Sequence, residues 1–338
     1  MKNILKLSGI YIGTIIGAGF ASGQEIVSFF TSYGNKWIYG MIFSGFLFSL
    51  LGFIIIDTIS NDKNITYKKF INNTLGRNLG SIMDIVSGLF LMILFFTMIS
   101  AAGVTIHQSF KISTTVAKGL MILICFIIFL FDIEGISFIN SILSPILILS
   151  GIIIGVSILF SYSTPTFSVY NNKKIIYIIF SSLLYVSYNM ITAIPVLISA
   201  KEIAHSKNSK FAGLIGGFSM SLMGICIGMV LFINHSNIKN LEIPLMAIVS
   251  NINNLLYYLY IFMLLSAILT TALGNGFGAI KWLEEKINLK PIFIKLIVIF
   301  IALLMSFINF SYFVNIFYPI FGLIGIVEIL IIIYKYFK

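Results

Sequence analysis

Gly13-Thr14-Ile15-Ile16-Gly17-Ala18-Gly19-Phe20-Ala21-Ser22-Gly23 places four glycines in eleven residues, in the middle of an apolar run. The run extends from about residue 4 to residue 31, enough for a membrane-spanning helix, which takes roughly 20 apolar residues. Glycine weakens a helix and opens backbone angles that other residues avoid. Inside a bilayer an interrupted helix leaves amides and carbonyls without partners, so it is tolerated where it lines a cavity. Close helix packing through small residues is the other reading of the same stretch. The apolar run continues past Gly19-Phe20-Ala21 to Phe30, so it reads as a span and not as a cleaved leader.

The rest of the chain continues the apolar theme. Of its 338 residues, 59% are hydrophobic and 9% charged, and the mean hydropathy is +1.06. Soluble domains carry about 25% charged residues, which excludes a soluble enzyme or a nucleic-acid binder. The formal charge of +10 does not argue otherwise, because the basic residues sit in short gaps between apolar segments. Ten such segments run at about 4–31, 37–57, 80–107, 115–132, 138–162, 174–200, 211–234, 255–280, 291–309 and 312–334. They read as helices, since lipid-exposed backbone is satisfied only in helices and closed barrels. Barrel strands alternate over about ten residues, whereas Leu120 to Phe131 is apolar on every side. With the N-terminus inside, 15 of the 21 lysines and arginines fall on inner loops and tails and 6 on outer ones. The positive-inside rule then puts both termini in the cytoplasm. Of the longer connections, 58–79 reads as an amphipathic helix on the inner face. The outer loop 235–254 carries the apolar patch Pro244–Val249, a short capping helix or a packed loop.

The sixth segment echoes the first. Leu184-Tyr185-Val186-Ser187-Tyr188-Asn189-Met190-Ile191-Thr192-Ala193-Ile194-Pro195 puts polar groups at mid-membrane and follows them with a proline, which reads as a second interruption. Ser22-Gly23-Gln24-Glu25-Ile26 and Ser199-Ala200-Lys201-Glu202-Ile203 share three of five residues at an offset of 177. Segments one and six of ten imply two five-helix halves, 1–162 and 173–338. An odd number of spans per half makes the repeat inverted. Paired interruptions in inverted halves are the best sequence pointer to a transporter's central site.

Five-plus-five helices with broken first and sixth spans resemble the LeuT-fold transporters of the amino acid–polyamine–organocation superfamily. The opening GTIIGAGFASGQEI is most similar to the YkvI-type membrane proteins of Gram-positive bacteria. The expected fold is therefore all-α and integral to the bacterial cytoplasmic membrane, with ten transmembrane helices. Half-helix N-termini suit a carboxylate, and Gly17, Ala18, Gly19 and Phe20 supply such amides; half-helix C-termini suit Na⁺ or an ammonium group. An amino acid carries both groups, and the resemblance implies that its carboxylate sits at the GxG turn. Tyr185, Tyr188, Asn189 and Thr192 are the expected side-chain contacts.

The eighth segment reads Ser266-Ala267-Ile268-Leu269-Thr270-Thr271-Ala272. In sodium-coupled members of the fold, an alanine carbonyl followed three and four residues later by two hydroxyls completes a sodium site. By that resemblance Ala267, Thr270 and Thr271 join the carbonyls of Gly13 and Ile16. Threonines that bond back to their own helix are the alternative. Some relatives place a lysine from helix five at this position, but Phe138 to Tyr162 holds no Lys, Arg or His. Proton coupling would then fall to an intramembrane acid. The candidates are Glu328 in the last span and Glu25, about 12 Å along a helix from Gly17.

The sequence thus reads as a secondary active transporter, a sodium-coupled symporter of an amino acid or related small zwitterion or amine. Helices 1, 2, 6 and 7 would rock against 3, 4, 8 and 9, as the resemblance implies. A ligand-sensing membrane subunit of the germinant-receptor kind and a proton-coupled transporter are the alternatives. No catalytic set or metal-ligand cluster is evident, so neither an enzyme nor a cofactor beyond Na⁺ is expected. The expected partners are a small-molecule substrate and the bilayer, with no nucleic acid and no obligatory protein.

Overall fold

The computed structural model describes residues 2–62, 64–161, 174–204, 206–234, 238, 241, 243–306 and 310–338. These residues form helices and no strand. The first apolar run is divided into α1 (Lys2–Ile15), α2 (Ala18–Ala21) and α3 (Gln24–Phe29). Then follow α4 (Trp37–Asn61), α5 (Tyr67–Leu75), α6 (Arg77–Phe110), α7 (Thr114–Phe129) and α8 (Asp132–Ser161). The second half holds α9 (Ile175–Ser199), α10 (Phe211–Ile233), the short α11 (Pro244–Val249), α12 (Asn254–Glu284), α13 (Pro291–Met305) and α14 (Phe310–Phe337). Seven helices are long and apolar enough to cross a membrane, and α7 and α13 are shorter apolar helices. Large apolar side chains such as Phe46, Leu123, Phe218 and Phe300 are exposed on the outside of the bundle. A helix hydrophobic all round has lipid or protein on every side.

Because lipid is as apolar as leucine, helices here associate through close packing rather than the hydrophobic effect. The seam between α4 and α10 shows how. Gly45 faces Ser221, Ser49 faces Gly217, and Gly52 lies against Gly213, so the two backbones approach along their length. The helix α6 packs on α12, α9 on α14, and α1 is surrounded by α8, α9, α10 and α12. The divided first segment is therefore the innermost part of the bundle.

The connection at 58–79 forms the expected amphipathic helix. In α5, Thr66 caps the N-terminus by accepting from the Lys69 amide at 3.2 Å. Its apolar face, Tyr67, Phe70 and Ile71, is buried against protein, chiefly α6. The patch at 244–249 forms a short helix, and the Leu245 amide donates to the Ser22 carbonyl at 3.0 Å. Asp57 pairs with Lys210 at 3.1 Å, Asp84 with Lys286 at 2.5 Å, and Asp132 with Lys295 at 2.7 Å. Asp132 opens α8, and Asp57 and Asp84 lie one to two turns inside α4 and α6, within reach of long lysine side chains.

Candidate functional site

The interruption between α1 and α3 is where the backbone departs from helix inside the bundle. The Gly17 amide bonds the Ile15 carbonyl at 2.9 Å instead of reaching back to Gly13. Gly17 is extended (φ −98°, ψ −166°), and Gly23 is left-handed (φ 85°). Only glycine takes a left-handed angle without a steric cost, so Gly23 fixes the second bend. The carbonyls of Gly13 and Ile16 lose their helical partners. No backbone acceptor among the described residues takes the amides of Ala18, Gly19 and Phe20.

A single hydroxyl from the eighth segment meets both freed carbonyls. Thr271 Oγ1 donates to Gly13 O at 2.7 Å and lies 3.1 Å from Ile16 O. Thr270 Oγ1 bonds Ala267 O at 3.1 Å within its own helix. The approach of α12 to α1 depends on glycine. A Cβ at Gly17 would stand 3.2 Å from Thr271 Cγ2, and one at Gly13 would stand 2.9 Å from Thr270 Cβ. Three of the five expected sodium ligands thus share one point, and Ala267 and Thr270 lie within a turn of it. All five are buried. Helix five adds groups that sequence reading missed. Asn140 Nδ2 and Ser144 Oγ face the same spot of α1, at 3.2 and 3.3 Å from a Cβ built on Gly13. Asn140, and Asn275 one turn beyond Thr271, are fully buried, with both amide atoms unpartnered among the described residues. Their signal was an amide side chain in the middle of an apolar span.

The sixth segment departs from expectation, because α9 runs unbroken from Ile175 to Ser199 with Pro195 inside it. Its polar groups bond back to carbonyls of the same helix rather than line an interruption. Asn189 Nδ2 donates to Tyr185 O at 2.9 Å, Thr192 Oγ1 to Asn189 O at 2.9 Å, and Ser199 Oγ to Pro195 O at 2.8 Å. Asn189 and Thr192 are thus engaged within α9. Tyr185 and Tyr188 are not: the Tyr188 hydroxyl faces the Glu25 carboxylate, and the Tyr185 hydroxyl is buried without a hydrogen-bond partner among the described residues. Their rings meet edge to face at 5.6 Å. Tyr318 from α14, which sequence reading also missed, stacks on Tyr188 at 4.8 Å.

Glu25 is the second departure. A straight helix would carry it away from Gly17 toward the outer boundary. The left-handed turn at Gly23 redirects the chain, and the Glu25 carboxylate folds back onto Gly19, so that a Cβ there would run into Oε1. Glu25 is 5% exposed; the Tyr188 hydroxyl faces its carboxylate, and Tyr185 and Tyr318 pack against the Tyr188 ring. The space that sequence reading reserves for a substrate carboxylate, beside the amide of Gly19, therefore adjoins a carboxylate of the protein itself. Glu328 lies apart from this group. Tyr67 of α5 donates to its Oε1 at 3.3 Å and shares a 2.6 Å bond with Ser87 of α6. Lys335, further along α14, donates to Asn73 O at 2.6 Å and not to Glu328.

No family model matches the chain. It is 26% identical over 328 residues to the uncharacterized membrane protein YkvI of Bacillus subtilis (strain 168), covering 95% of this chain and 92% of YkvI. It is 25% identical over 323 residues to the uncharacterized protein YyaD of the same organism, covering 95% and 94%. Among solved structures, MhsT in complex with L-phenylalanine superposes with a TM-score of 0.73 at 13% identity, over 96% of this chain and 87% of that one. A substrate-bound, outward-open Na⁺-coupled sialic acid symporter gives 0.66 at 13% identity, over 95% and 76%. Mhp1, a nucleobase-cation-symport-1 family transporter in a closed conformation, gives 0.63 at 13% identity, over 92% and 74%. The chain is a homologue of YkvI and YyaD with the LeuT fold. Its apolar spans and its membrane homologue YkvI make it a multi-pass membrane protein.

Proposed function

We propose that this protein is a secondary active transporter, a sodium-coupled symporter of a small amino compound, in the bacterial cytoplasmic membrane with both termini inside. The observation that carries the reading is the meeting of Gly13 O, Ile16 O and Thr271 Oγ1 within 3.1 Å at the interrupted helix. Unwound backbone carbonyls at a half-helix C-terminus are the membrane-protein form of a Na⁺ site. Ala267 O and Thr270 Oγ1, which bond each other within α12, would turn to this point to complete the oxygen set when the ion binds. Helix five supports sodium over a fixed cation, because it presents the neutral Asn140 and Ser144 to this place and no lysine.

Ten spans fit the seven long helices, the two shorter apolar ones and the divided first segment. An inverted five-plus-five arrangement, with halves 1–162 and 173–338, is supported by contacts between counterpart helices: α4 with α10, α6 with α12, α1 with α9 and α7 with α13. Sodium bound between α1 and α12 would hold the first bundle against the helix that pairs with α6. The ion acts by binding one orientation of that interface better than the other. The bundle of helices 1, 2, 6 and 7 then rocks against 3, 4, 8 and 9 to expose the site alternately to the two sides.

The test is uptake of radiolabelled substrate pools by proteoliposomes under an inward sodium gradient, with potassium replacing sodium in the control. Sodium-dependent accumulation supports the reading. Ligand-induced thermal stabilisation without uptake under any ion gradient would replace the transporter with a sensor.

A further inference from the structure

Glu328 takes no part in the sodium junction, yet an acid inside a membrane is costly and is retained for a function. It is 1% exposed in α14. Tyr67 of α5 donates to its Oε1 at 3.3 Å, and its Oε2 has no hydrogen-bond partner among the described residues. The charged groups on the elements packed around it are engaged elsewhere or face outward. On α14 itself, Lys335 donates to Asn73 O. On α6, Asp84 is held by Lys286, and Arg77 is exposed. On α4, Asp57 takes Lys210 and the Tyr336 hydroxyl. On α5, Lys69 pairs with Asp62 and Lys68 is exposed. The part of α9 after Tyr188 holds no titratable residue. An ionised Glu328 would thus have no cation beside it among the described residues.

A route leads to this acid. A cavity of about 280 Å³ lies between α5, α6 and the C-terminal ends of α9 and α12, where Thr66, Tyr67, Gly88, Ser199 and Trp282 line it. It reaches the surface at the exposed Glu285. Tyr67 therefore joins the cavity to the acid. Its hydroxyl also shares a 2.6 Å bond with the buried Ser87 of α6. A hydroxyl both donates and accepts, so Ser87, Tyr67 and Glu328 form a chain whose hydrogens can point toward the carboxylate or away from it. The chain serves Glu328 with or without a proton, and no heavy atom has to move. A metal cation fits less well, because it takes several oxygen ligands. The helices α6 and α14 are continuous here and free no carbonyls, unlike the break in the first segment.

We infer that Glu328 is a proton-binding site, separate from the sodium junction and loaded from the cavity through Tyr67. In loading, a hydronium ion in the cavity gives a proton to the Tyr67 oxygen as the Tyr67 proton passes to Glu328 Oε1. Water is left, the hydroxyl is restored and the carboxylate becomes neutral; release runs the same steps backwards. The proton site stands without the transporter reading. Its effect rests on that reading: the proposed orientation turns the cavity to the cytoplasm, so internal pH sets its occupancy and modulates transport.

Infrared pH-difference spectra of the purified full-length protein in lipid test the site. They should contain the carbonyl band of a protonated acid that is absent from Glu328→Gln and present in Glu25→Gln. Transfer to heavy water shifts such a band by exchanging the acid proton. In Tyr67→Phe that exchange should be at least about ten-fold slower, as expected for losing a proton-transferring group. Ser87→Ala, which leaves Tyr67 and Glu328 in place, should slow it less. A tyrosine that only packs would lower Tm in Tyr67→Phe and leave the exchange rate unchanged. Spectra of Glu328→Gln identical to wild type, exchange at the wild-type rate in Tyr67→Phe, or a band removed by adding sodium at constant pH would overturn the inference. Sodium-driven uptake by right-side-out membrane vesicles should depend on internal pH in wild type and not in Glu328→Gln; an unchanged dependence would overturn the modulation. No uptake under any gradient, with the band intact, would remove the transporter and keep the proton site.

Discussion

Ser22–Ile26 and Ser199–Ile203 share a motif in sequence and little in structure. Both follow the end of a helix, and both lead into a short helical turn. Yet Glu25 is buried against Gly19 among tyrosines, whereas Glu202 sits exposed in a 3-10 turn. The residue that follows the serine decides this. Gly23 adopts a left-handed angle and turns the chain inward; Ala200, at φ −91° and ψ 14°, simply ends its helix. The helices before them differ for a related reason. The first contains glycines at which α12 can approach closely enough to take over freed carbonyls. The sixth contains side chains that bond to carbonyls of their own helix, and it runs unbroken past Pro195.

The largest effect should come from exchanging the two acids. Glu25→Gln should abolish most substrate uptake in proteoliposomes, by ten-fold or more, if the buried carboxylate binds charge. Glu202→Gln should leave uptake near wild type. Equal losses would mean that the motif acts through something other than burial. Gly23→Ala comes next. A left-handed non-glycine residue costs roughly 1–2 kcal/mol, and the added methyl meets Leu231 Cδ1 at 2.7 Å, so the Tm of the detergent-solubilised protein should fall. Ala200→Gly should cost no more than about 1 kcal/mol. A larger loss at residue 200 would reverse the assignment of the two turns. Pro195→Ala should hold or raise Tm, because it restores an amide to a continuous helix, where proline is otherwise unfavourable. A fall in Tm would indicate an interrupted sixth helix after all.

Much of this was legible in the sequence, and the reasons are local. Apolar runs bounded by lysines give the helices to within a few residues. Gly13, Ile16 and Thr271 were named through the resemblance to sodium-coupled members of the fold, and the glycine-rich break in the first segment is the local feature onto which that resemblance maps. The fate of the sixth helix was not legible. Asn189 and Thr192 look the same in sequence whether they line a gap or bond back to Tyr185 and Asn189. The place of Glu25 was not legible either, since a single backbone angle at Gly23 decides whether it points along the helix or folds back. Tyr318 and Asn140 belong to helices distant in sequence, and only packing brings them to the break.

The central claim is that sodium couples transport at the junction of α1 and α12. The most direct measurement is the sodium dependence of uptake in proteoliposomes containing wild-type protein or Thr271→Ala, with potassium as the replacement cation. The account predicts accumulation only with an inward sodium gradient, and a several-fold higher sodium concentration for half-maximal uptake in Thr271→Ala. Uptake that is indifferent to sodium, or a Thr271→Ala variant with the sodium dependence of the wild type, would contradict it.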